Sequence, residues 1–259
     1  MSANTEHPSF PQPTEATSVW RYMDLSRYLD VAARGRLFFS RQDKFRDTYE
    51  GAIPSLSRRA LAMQSEQIEA ENRKSTELIG VKKRPPSMEV QMMTFLEGVR
   101  RRTFISCWHM NIGESAAMWD LYGRDGSAIA LKTSYNKLRD ALPSHVYLGM
   151  VRYIDFEEDF FNLDNAMNPV MHKRRSFEHE KEVRAVISNL FDIPENYAKD
   201  YELTEFGLTI PFDLNASVDE IHLSPDAKHW FVRLLQETNA KLGITPPLTK
   251  SSLYDPAIF

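Results

Sequence analysis

The sequence has little of several features that would assign a protein to a class at once. It holds one cysteine, Cys107, in 259 residues, which excludes an internal disulfide framework and a multi-cysteine metal site. No stretch approaches the roughly 20 apolar residues of a membrane helix. The polar, proline-containing residues 1–17 are unlike a secretory signal. An excess of one charge is also lacking, because 32 basic residues face 36 acidic ones, and this balance argues against nucleic-acid binding through bulk charge.

Several catalytic motifs are missing as well. Gly123 and Gly126 are too closely spaced for a phosphate-binding loop, and no lysine follows them. Ser106 lacks the Gly-x-Ser-x-Gly surroundings of a hydrolase nucleophile. His179-Glu180 begins like the zinc-protease motif His-Glu-x-x-His, but Val183 stands at the second histidine position. The sequence therefore supports none of these three classes and predicts no metal site.

What is present is typical of a globular, cytoplasmic protein. Hydrophobic residues make up 42% and aromatic residues 11%, enough to build a large core. Residues 1–17 show no apolar periodicity and are predicted to form a flexible tail. Residues 18–259 are predicted to form a single domain. Helix-favouring stretches at 56–79 and 87–102 predict a helical insertion at about 56–102.

Short strands and helices alternate irregularly, with several strand-to-strand runs. Asp24 is a predicted helix N-cap and Gly35 the matching stop. Strands are predicted at 19–22, 37–40, 104–108, 127–132, 146–154, 182–188, 207–210 and 218–223, and further helices at 116–122, 135–141, 156–181 and 226–242. This order predicts an α+β fold with a mixed, mostly antiparallel sheet core and flanking helices.

The densest cluster of candidate functional residues lies at 178–184. If this segment is extended, Glu180, Glu182 and Arg184 share one face. Two neighbouring carboxylates repel, which raises one pKa, while the arginine opposes that shift. Such a pair suits acid–base catalysis or stabilisation of a sugar cation. The alternative is a solvated helix end with ordinary ion pairs along the helix.

Aromatic and basic groups leave further alternatives open. Trp119 and Tyr122 lie three apart on a predicted helix turn, which favours either core packing or a wall for a flat ring. Basic runs occur at 58–59, 82–84, 100–102 and 173–175. Each alone is typical of a solvated surface. Gathered by the fold, they would form a phosphate or nucleic-acid surface.

The order of these blocks resembles a bacterial family catalogued as domain of unknown function 2971. The resemblance covers roughly residues 19–253. It rests on these blocks: Arg21-Tyr22; Leu37 to Ser40; Phe45, Asp47 and Glu50; Ser106-Cys107; Met118, Trp119 and Tyr122; Phe177, Glu180, Glu182 and Arg184; and Ile221 to Pro225. Arg46 replaces an asparagine often seen before the aspartate of the third block.

A second resemblance carries an activity. The basic residue on the first strand, a serine on a later strand and the late Glu-x-Glu are similar to the arginine–serine–glutamate layout of ADP-ribosyltransferases. This resemblance implies that NAD is the substrate and that Glu182 is catalytic with Glu180 as its partner. It further implies a cofactor-binding set of Arg21, Tyr22, Ser106, Trp119, Tyr122 and Arg184. Ser40 is an equal counterpart for the serine.

The sequence therefore predicts an NAD-utilising ADP-ribosyltransferase or NAD glycohydrolase, acting as a bacterial toxin or in phage defence. Its expected partners are a small-molecule nucleotide and a protein or nucleic-acid target, without a membrane. A non-catalytic nucleotide- or nucleic-acid-binding module is one alternative, which the basic runs would favour. A nuclease is a second alternative, against which the lack of an acid-x-Lys motif counts.

Overall fold

The protein is described by a computed structural model over residues 2–79, 86–123, 125–189 and 198–257, with side chains omitted at 72–79. The basic run predicted at 82–84 lies outside these residues. Within them, no helix is long and apolar enough to cross a membrane.

The element order agrees in outline with the sequence patterns. The strands are β1 Ser18–Met23, β2 Arg36–Arg41, β3 Thr103–Met110, β4 Ile129–Ser134, β5 Tyr147–Met150, β6 Arg152–Ile154, β7 His172–Arg174, β8 Glu182–Ser188, β9 Glu202–Leu203, β10 Gly207–Pro211, β11 Glu220–Leu223 and β12 Leu248–Lys250. The α-helices are α1 Leu25–Arg34, α2 Ser55–Ile79, α3 Met88–Arg102, α4 Ala116–Tyr122, α5 Tyr135–Ala141, α6 Asn168–Met171, α7 Leu214–Ser217 and α8 His229–Leu242. Two 3-10 helices span Gln42–Lys44 and Arg175–Glu180.

Local signals set the ends of α1 as predicted. The Asp24 side chain accepts a hydrogen bond from the backbone N–H of Arg27, and so satisfies a donor that the first turn leaves free. Gly35 ends the helix with a left-handed backbone, φ 60°, which glycine adopts without steric cost. Helices α2 and α3 occupy the stretch predicted as helical, and Arg58 of α2 pairs with Glu89 of α3.

One large sheet organises the chain. Its order is β12, β11, β4, β1, β3, β2, β10, β9, and β8 joins β3 to β5. The β11–β12 pair is parallel, and the other pairs described in this sheet are antiparallel. Strands β6 and β7 form a separate parallel pair. The predicted α+β class with a mixed, mostly antiparallel sheet is confirmed.

Strand β3 is paired differently along its two edges. On one edge β8 follows it continuously, from Thr103 opposite Ser188 to His109 opposite Glu182. On the other edge β1 pairs only near the end of β3, and β2 pairs only near its start. Within the described ranges, residues 106–108 of β3 therefore have no strand partner on that side. The sheet is split there, between β1 and β2.

The two faces of the sheet carry separate cores. Phe104 and Trp108 of β3 belong to the larger core, which includes Tyr28 of α1 and Phe231 of α8. Ile105 of β3 belongs to a smaller core on the opposite face. Successive strand residues point to opposite faces. Ser106 therefore shares a face with Phe104 and Trp108, whereas Cys107 and His109 share the face of Ile105.

The N-terminal segment, predicted to be a flexible tail, contacts the rest of the protein at several residues. Ala3 and Phe10 are buried, and the Asn4 backbone forms a bridge with Tyr147 at the start of β5. The Phe10 ring stacks on Tyr147 with centroids 5.3 Å apart. The buried apolar residues Ala3 and Phe10 are seven positions apart and form no periodic pattern, so these contacts carry no periodic signal in the sequence.

The helix predicted over 156–181 is wrong. This stretch instead contains turns, the four-residue α6, β7 and a 3-10 helix. The Asp155 carboxylate accepts a hydrogen bond from the Glu157 backbone, an Asx turn that competes with helix. Lys173 is buried against carboxylates of other segments, so tertiary ion pairs outweigh the local helix propensity.

Candidate functional site

A narrow cleft opens on the Cys107 face of the sheet, beside the split. Its walls come from β1, β3, α4 and the start of β8. It is lined by Trp20, Tyr22, Cys107, Trp108, His109, Met118, Tyr122, Glu180 and Glu182. Its free volume is about 20 Å³, roughly the space of one water molecule. A ring-sized ligand therefore fits only if side chains that line the cleft move.

Aromatic side chains form one wall of the cleft. The Tyr22 and Tyr122 rings are near-parallel, with centroids 6.5 Å apart. Trp119 meets the Tyr22 ring edge-on at 4.8 Å, and its indole N–H donates to Glu114. Ser115 donates its backbone N–H to the Tyr22 hydroxyl. The structure thus places Tyr22 and Tyr122 at the cleft, with Trp119 behind them as a buried support.

A buried ion-pair network lies beneath the cleft. Both oxygens of Glu182 are bound, Oε1 by Lys173 at 2.8 Å and Oε2 by Arg184 at 2.6 Å. Arg184 also reaches Glu50 at 2.8 Å and donates to a backbone carbonyl. The Lys173 ammonium contacts Glu180 at 2.6 Å. Three carboxylates thus share two cations in an interior where unpaired charge is costly.

The two cleft glutamates titrate in opposite directions. Burial alone would raise the pKa of Glu182, but the charges of Arg184 and Lys173 outweigh it and hold this pKa well below its usual range. Burial, together with the neighbouring Glu182, raises the pKa of Glu180 to about 7, despite Lys173. Of the two carboxyl groups, Glu180 is therefore the one that takes up a proton as the pH falls through about 7, while Glu182 stays ionised.

The backbone between the two glutamates has an unusual conformation. Glu180 ends a 3-10 helix and Glu182 begins β8. The two residues therefore do not belong to one strand, as they would if residues 178–184 were extended throughout. Lys181 between them has φ 39°, in the left-handed region that non-glycine residues rarely adopt. This reversal lets both carboxylates reach the Lys173 ammonium.

Arg21 occupies the split in the sheet. Its guanidinium donates to the Ser106 hydroxyl, to the Cys107 carbonyl at 3.5 Å and to the Phe38 carbonyl at 3.0 Å. It also lies over the Trp108 ring, 5.7 Å from its centroid. Arg21 thus connects β1, β2 and β3 at the split, and it contacts Ser106, another residue of the cofactor-binding set that the resemblance implies.

Arg21 differs from the buried cations Lys173 and Arg184 in having no acidic partner among the residues described. Within the described part of the chain, no carboxylate forms an ion pair with it. Burial lowers the pKa of Arg21 to about 10, because no carboxylate compensates the lost hydration. A cation without a counter-charge is suited to receive an anion such as a phosphate.

Cys107 lines the cleft as a protonated thiol. Burial and the neighbouring Glu182 raise its pKa well above the usual range. The thiolate is the nucleophile in cysteine chemistry, so a Cys107 that stays protonated is not suited to nucleophilic attack.

Three residues of the cleft and its floor were missed as site residues. Glu50 lies 134 positions from Arg184 in sequence, although the Phe-x-Asp-x-x-Glu block held a signal for it. Lys173 was grouped with a basic run typical of a solvated surface, yet it is 7% exposed. His109 belongs to none of the candidate sets named from the sequence. Alternation along β3 offered a signal, because it places His109 on the Cys107 face.

Several residues of the described basic runs are paired with acidic side chains. Arg58 pairs with Glu89, and Arg101 pairs with Glu97 on its own helix. Arg174 pairs with Asp47 and Arg175 with Asp159. Among the residues described, no group of three or more histidine, cysteine, aspartate or glutamate side chains is arranged to hold a metal ion.

Comparison with known proteins yields one structural similarity. No family model matches the chain, and no curated protein matches it, so the resemblance to domain of unknown function 2971 stays a prediction. Among solved structures, the chain is similar to Thermus sp. 2.9 DarT, determined in complex with ADP-ribosylated ssDNA, at 11% identity. The similarity covers 93% of this chain and 97% of that one, with a TM-score of 0.41. A similarity this low carries no information about the chemistry of the cleft.

Proposed function

We propose that the cleft binds NAD and breaks the bond between its nicotinamide and the adjoining ribose. The observation that carries this proposal is one cleft with a charged group in the split of the sheet beside it. The cleft is lined by an aromatic wall at Tyr22 and Tyr122 and by the carboxylate pair Glu180 and Glu182. Arg21, a cation without a counter-charge in the described chain, lies in the split and contacts the carbonyl of Cys107, a residue that lines the cleft. An anion-binding group, a ring-binding wall and an acid–base pair are what a positively charged ribosyl transition state requires.

The two carboxylates have different roles in this proposal. Glu182 is held between Lys173 and Arg184, so it stays ionised and fixes the geometry of the floor. Glu180 is the more exposed of the two, and its pKa of about 7 lies near the optimum for a general base. The glycosidic electron pair leaves with the nicotinamide nitrogen. The incoming nucleophile adds to the ribose carbon and gives its proton to Glu180.

Arg21 binds the diphosphate of the dinucleotide in this proposal. Its guanidinium is fixed by Ser106 and Phe38, so little side-chain entropy is lost when an anion arrives. The acceptor of the ADP-ribose group is water in a glycohydrolase, or a nucleophilic group of a protein or nucleic acid in a transferase toxin. The pKa directions of Glu180 and Glu182 suit both acceptors equally.

Consumption of NAD by the purified chain tests the proposal, with candidate protein and nucleic-acid targets present and absent. Glu180→Gln keeps the side-chain shape and removes the base, so we expect the rate to fall by a factor of about 10²–10⁴. Glu178→Gln is the matched control, because Glu178 is exposed in the same 3-10 helix, and its rate should equal that of the wild type. Absence of NAD consumption with every target, or an undiminished rate in Glu180→Gln, would overturn the proposal.

A second candidate function is nucleotide binding without turnover, favoured by the uncompensated charge of Arg21. Phosphate binding by this cation should weaken as salt rises, and Arg21→Met should abolish it. Calorimetry that shows salt-sensitive NAD binding, together with product analysis that shows no released nicotinamide, would select this function over catalysis.

A further inference from the structure

His109 carries a hydrogen-bonding group that the roles above do not use. The side chain lies in β3, opposite Glu182, and is 3% exposed. Its ring lines the cleft and meets Tyr22 edge-on, with centroids 6.0 Å apart. Its Nε2 is buried, and no residue in the described ranges offers this atom a hydrogen-bond partner.

The other ring nitrogen fixes the tautomer. Nδ1 lies 2.6 Å from the backbone carbonyl oxygen of Glu180. A carbonyl can only accept, so Nδ1 carries the hydrogen and donates it. Burial lowers the pKa of His109, outweighing the effect of this bond, with the charges of Lys181 and His179 acting in the same direction as burial. The ring is therefore neutral at physiological pH, and Nε2 presents a lone pair.

We propose that Nε2 of His109 accepts a hydrogen bond from an N–H or O–H group on the nicotinamide-ribose half of the ligand, and so selects ligands that carry this donor. The inference rests on the proposed function of the cleft. It adds a specificity-determining residue, because His109 borders both the aromatic wall and the carboxylate pair. The donor is either the carboxamide N–H of the base or a hydroxyl of the adjoining ribose.

The energetics favour this assignment. A buried acceptor without a partner costs free energy, which a ligand donor recovers on binding. A ligand that lacks the donor leaves the acceptor unpaired and loses this gain. A ligand with a carboxylate at the same place meets a lone pair, which is repulsive. Removal of one neutral hydrogen bond corresponds to a roughly tenfold loss of affinity.

Nitrogen NMR of the full-length chain with ¹⁵N-labelled histidine tests the assignment without a substitution. The free protein should show a protonated Nδ1 and an unprotonated Nε2 at His109. Addition of NAD, or of nicotinamide alone, should move the Nε2 resonance in the direction of an accepted hydrogen bond. An Nε2 resonance that stays unchanged while the ligand binds would overturn the inference, and would indicate that Nε2 bonds only to water.

Affinity measurements identify the donor. Wild type, His109→Phe and the exposed-histidine control His179→Phe are titrated with NAD, with the nicotinic-acid dinucleotide, and with an analogue lacking the 2′-hydroxyl of the nicotinamide ribose. His109→Phe should lose about tenfold in NAD affinity, and His179→Phe should lose none. The analogue that wild type discriminates against, and His109→Phe does not, carries the altered donor. His109→Gln retains an acceptor and should restore part of the affinity.

The outcomes separate the two proposals. If wild type binds NAD, and His109→Phe binds it equally well with unchanged discrimination, the His109 inference alone is overturned. If wild type binds none of the three dinucleotides, the proposed function fails and the inference fails with it. If His109→Phe does not fold, the NMR measurement on wild type decides.

Discussion

Two arginines lie against opposite faces of β3, and their surroundings differ in kind. Arg184, fully buried, faces Cys107 across the strand pair and contacts two carboxylates, Glu50 and Glu182. Arg21 contacts the Ser106 hydroxyl and two carbonyl groups, but no acid in the described chain. The pKa of Arg184 is raised, because the charges of Glu182 and Glu50 outweigh its burial, whereas burial lowers that of Arg21 to about 10.

The difference separates a structural charge from one available to a ligand. The positive charge of Arg184 is already neutralised inside the protein by Glu50 and Glu182. Arg21 keeps an uncompensated positive charge at the split. An anion that binds there is attracted by this charge without competition from a carboxylate in the described part of the protein. We therefore expect substitutions near Arg184 to act on folding, and substitutions near Arg21 to act on binding.

The largest effect is expected for Arg184→Met. It leaves Glu50 and Glu182 buried with one cation instead of two, and this should lower the free energy of unfolding by about 3–5 kcal/mol. Urea unfolding followed by circular dichroism measures it. The double variant Arg184→Met/Glu50→Gln restores the charge balance and should cost less than the sum of the single variants. Simple additivity would show that the network is not coupled.

The second largest effect is expected in the pH dependence of stability, and Glu180 is its source. The folded-state pKa of this group is raised from 4.5 to about 7, so the folded state binds more protons than the unfolded state in that interval. Its contribution to stability is therefore present below pH 4.5 and is lost as pH rises through about 7. The urea concentration at the midpoint of unfolding should fall as pH rises from 4.5 to about 7 in the wild type. In Glu180→Gln it should change less over the same pH range. Equal slopes in the two proteins would contradict the raised pKa.

Arg21→Met should cost less stability than Arg184→Met, about 1–2 kcal/mol. It removes hydrogen bonds to Ser106 and Phe38, but it leaves no buried carboxylate without its cation. Under the proposed function, the same variant should also eliminate NAD binding, which calorimetry reports independently of unfolding. A stability loss as large as that of Arg184→Met, with binding intact, would reverse the comparison between the two arginines.

The smallest effect is expected at an exposed ion pair. Lys137 and Asp219 are 2.7 Å apart but more than a third exposed, so water and salt screen their attraction. Lys137→Met should change the free energy of unfolding by less than about 1 kcal/mol and leave NAD consumption unchanged. A loss comparable to that of Arg184→Met would mean that burial does not explain the ranking.

Local signals predicted the elements whose ends are determined locally. Helix α1 follows from Asp24 and Gly35, and β3 follows from its apolar run. Sequence reasoning also grouped Glu180, Glu182 and Arg184, because their spacing is local. The same reasoning was wrong about Lys173, because a lysine in a basic run is typical of a solvated surface and this one is buried. Glu50 and Lys173 meet at 3.4 Å only because the sheet brings together segments more than 100 positions apart, and no periodic pattern records such a contact.

The left-handed backbone of Lys181 has a consequence for engineering the protein. A non-glycine residue in that region costs about 1–2 kcal/mol, so Lys181→Gly is an obvious stabilising substitution. Yet the constrained reversal keeps Glu180 directed at Lys173 rather than into solvent, and glycine would widen the range of conformations open to this turn. Selection for heat resistance and selection for turnover would therefore favour different residues at this position.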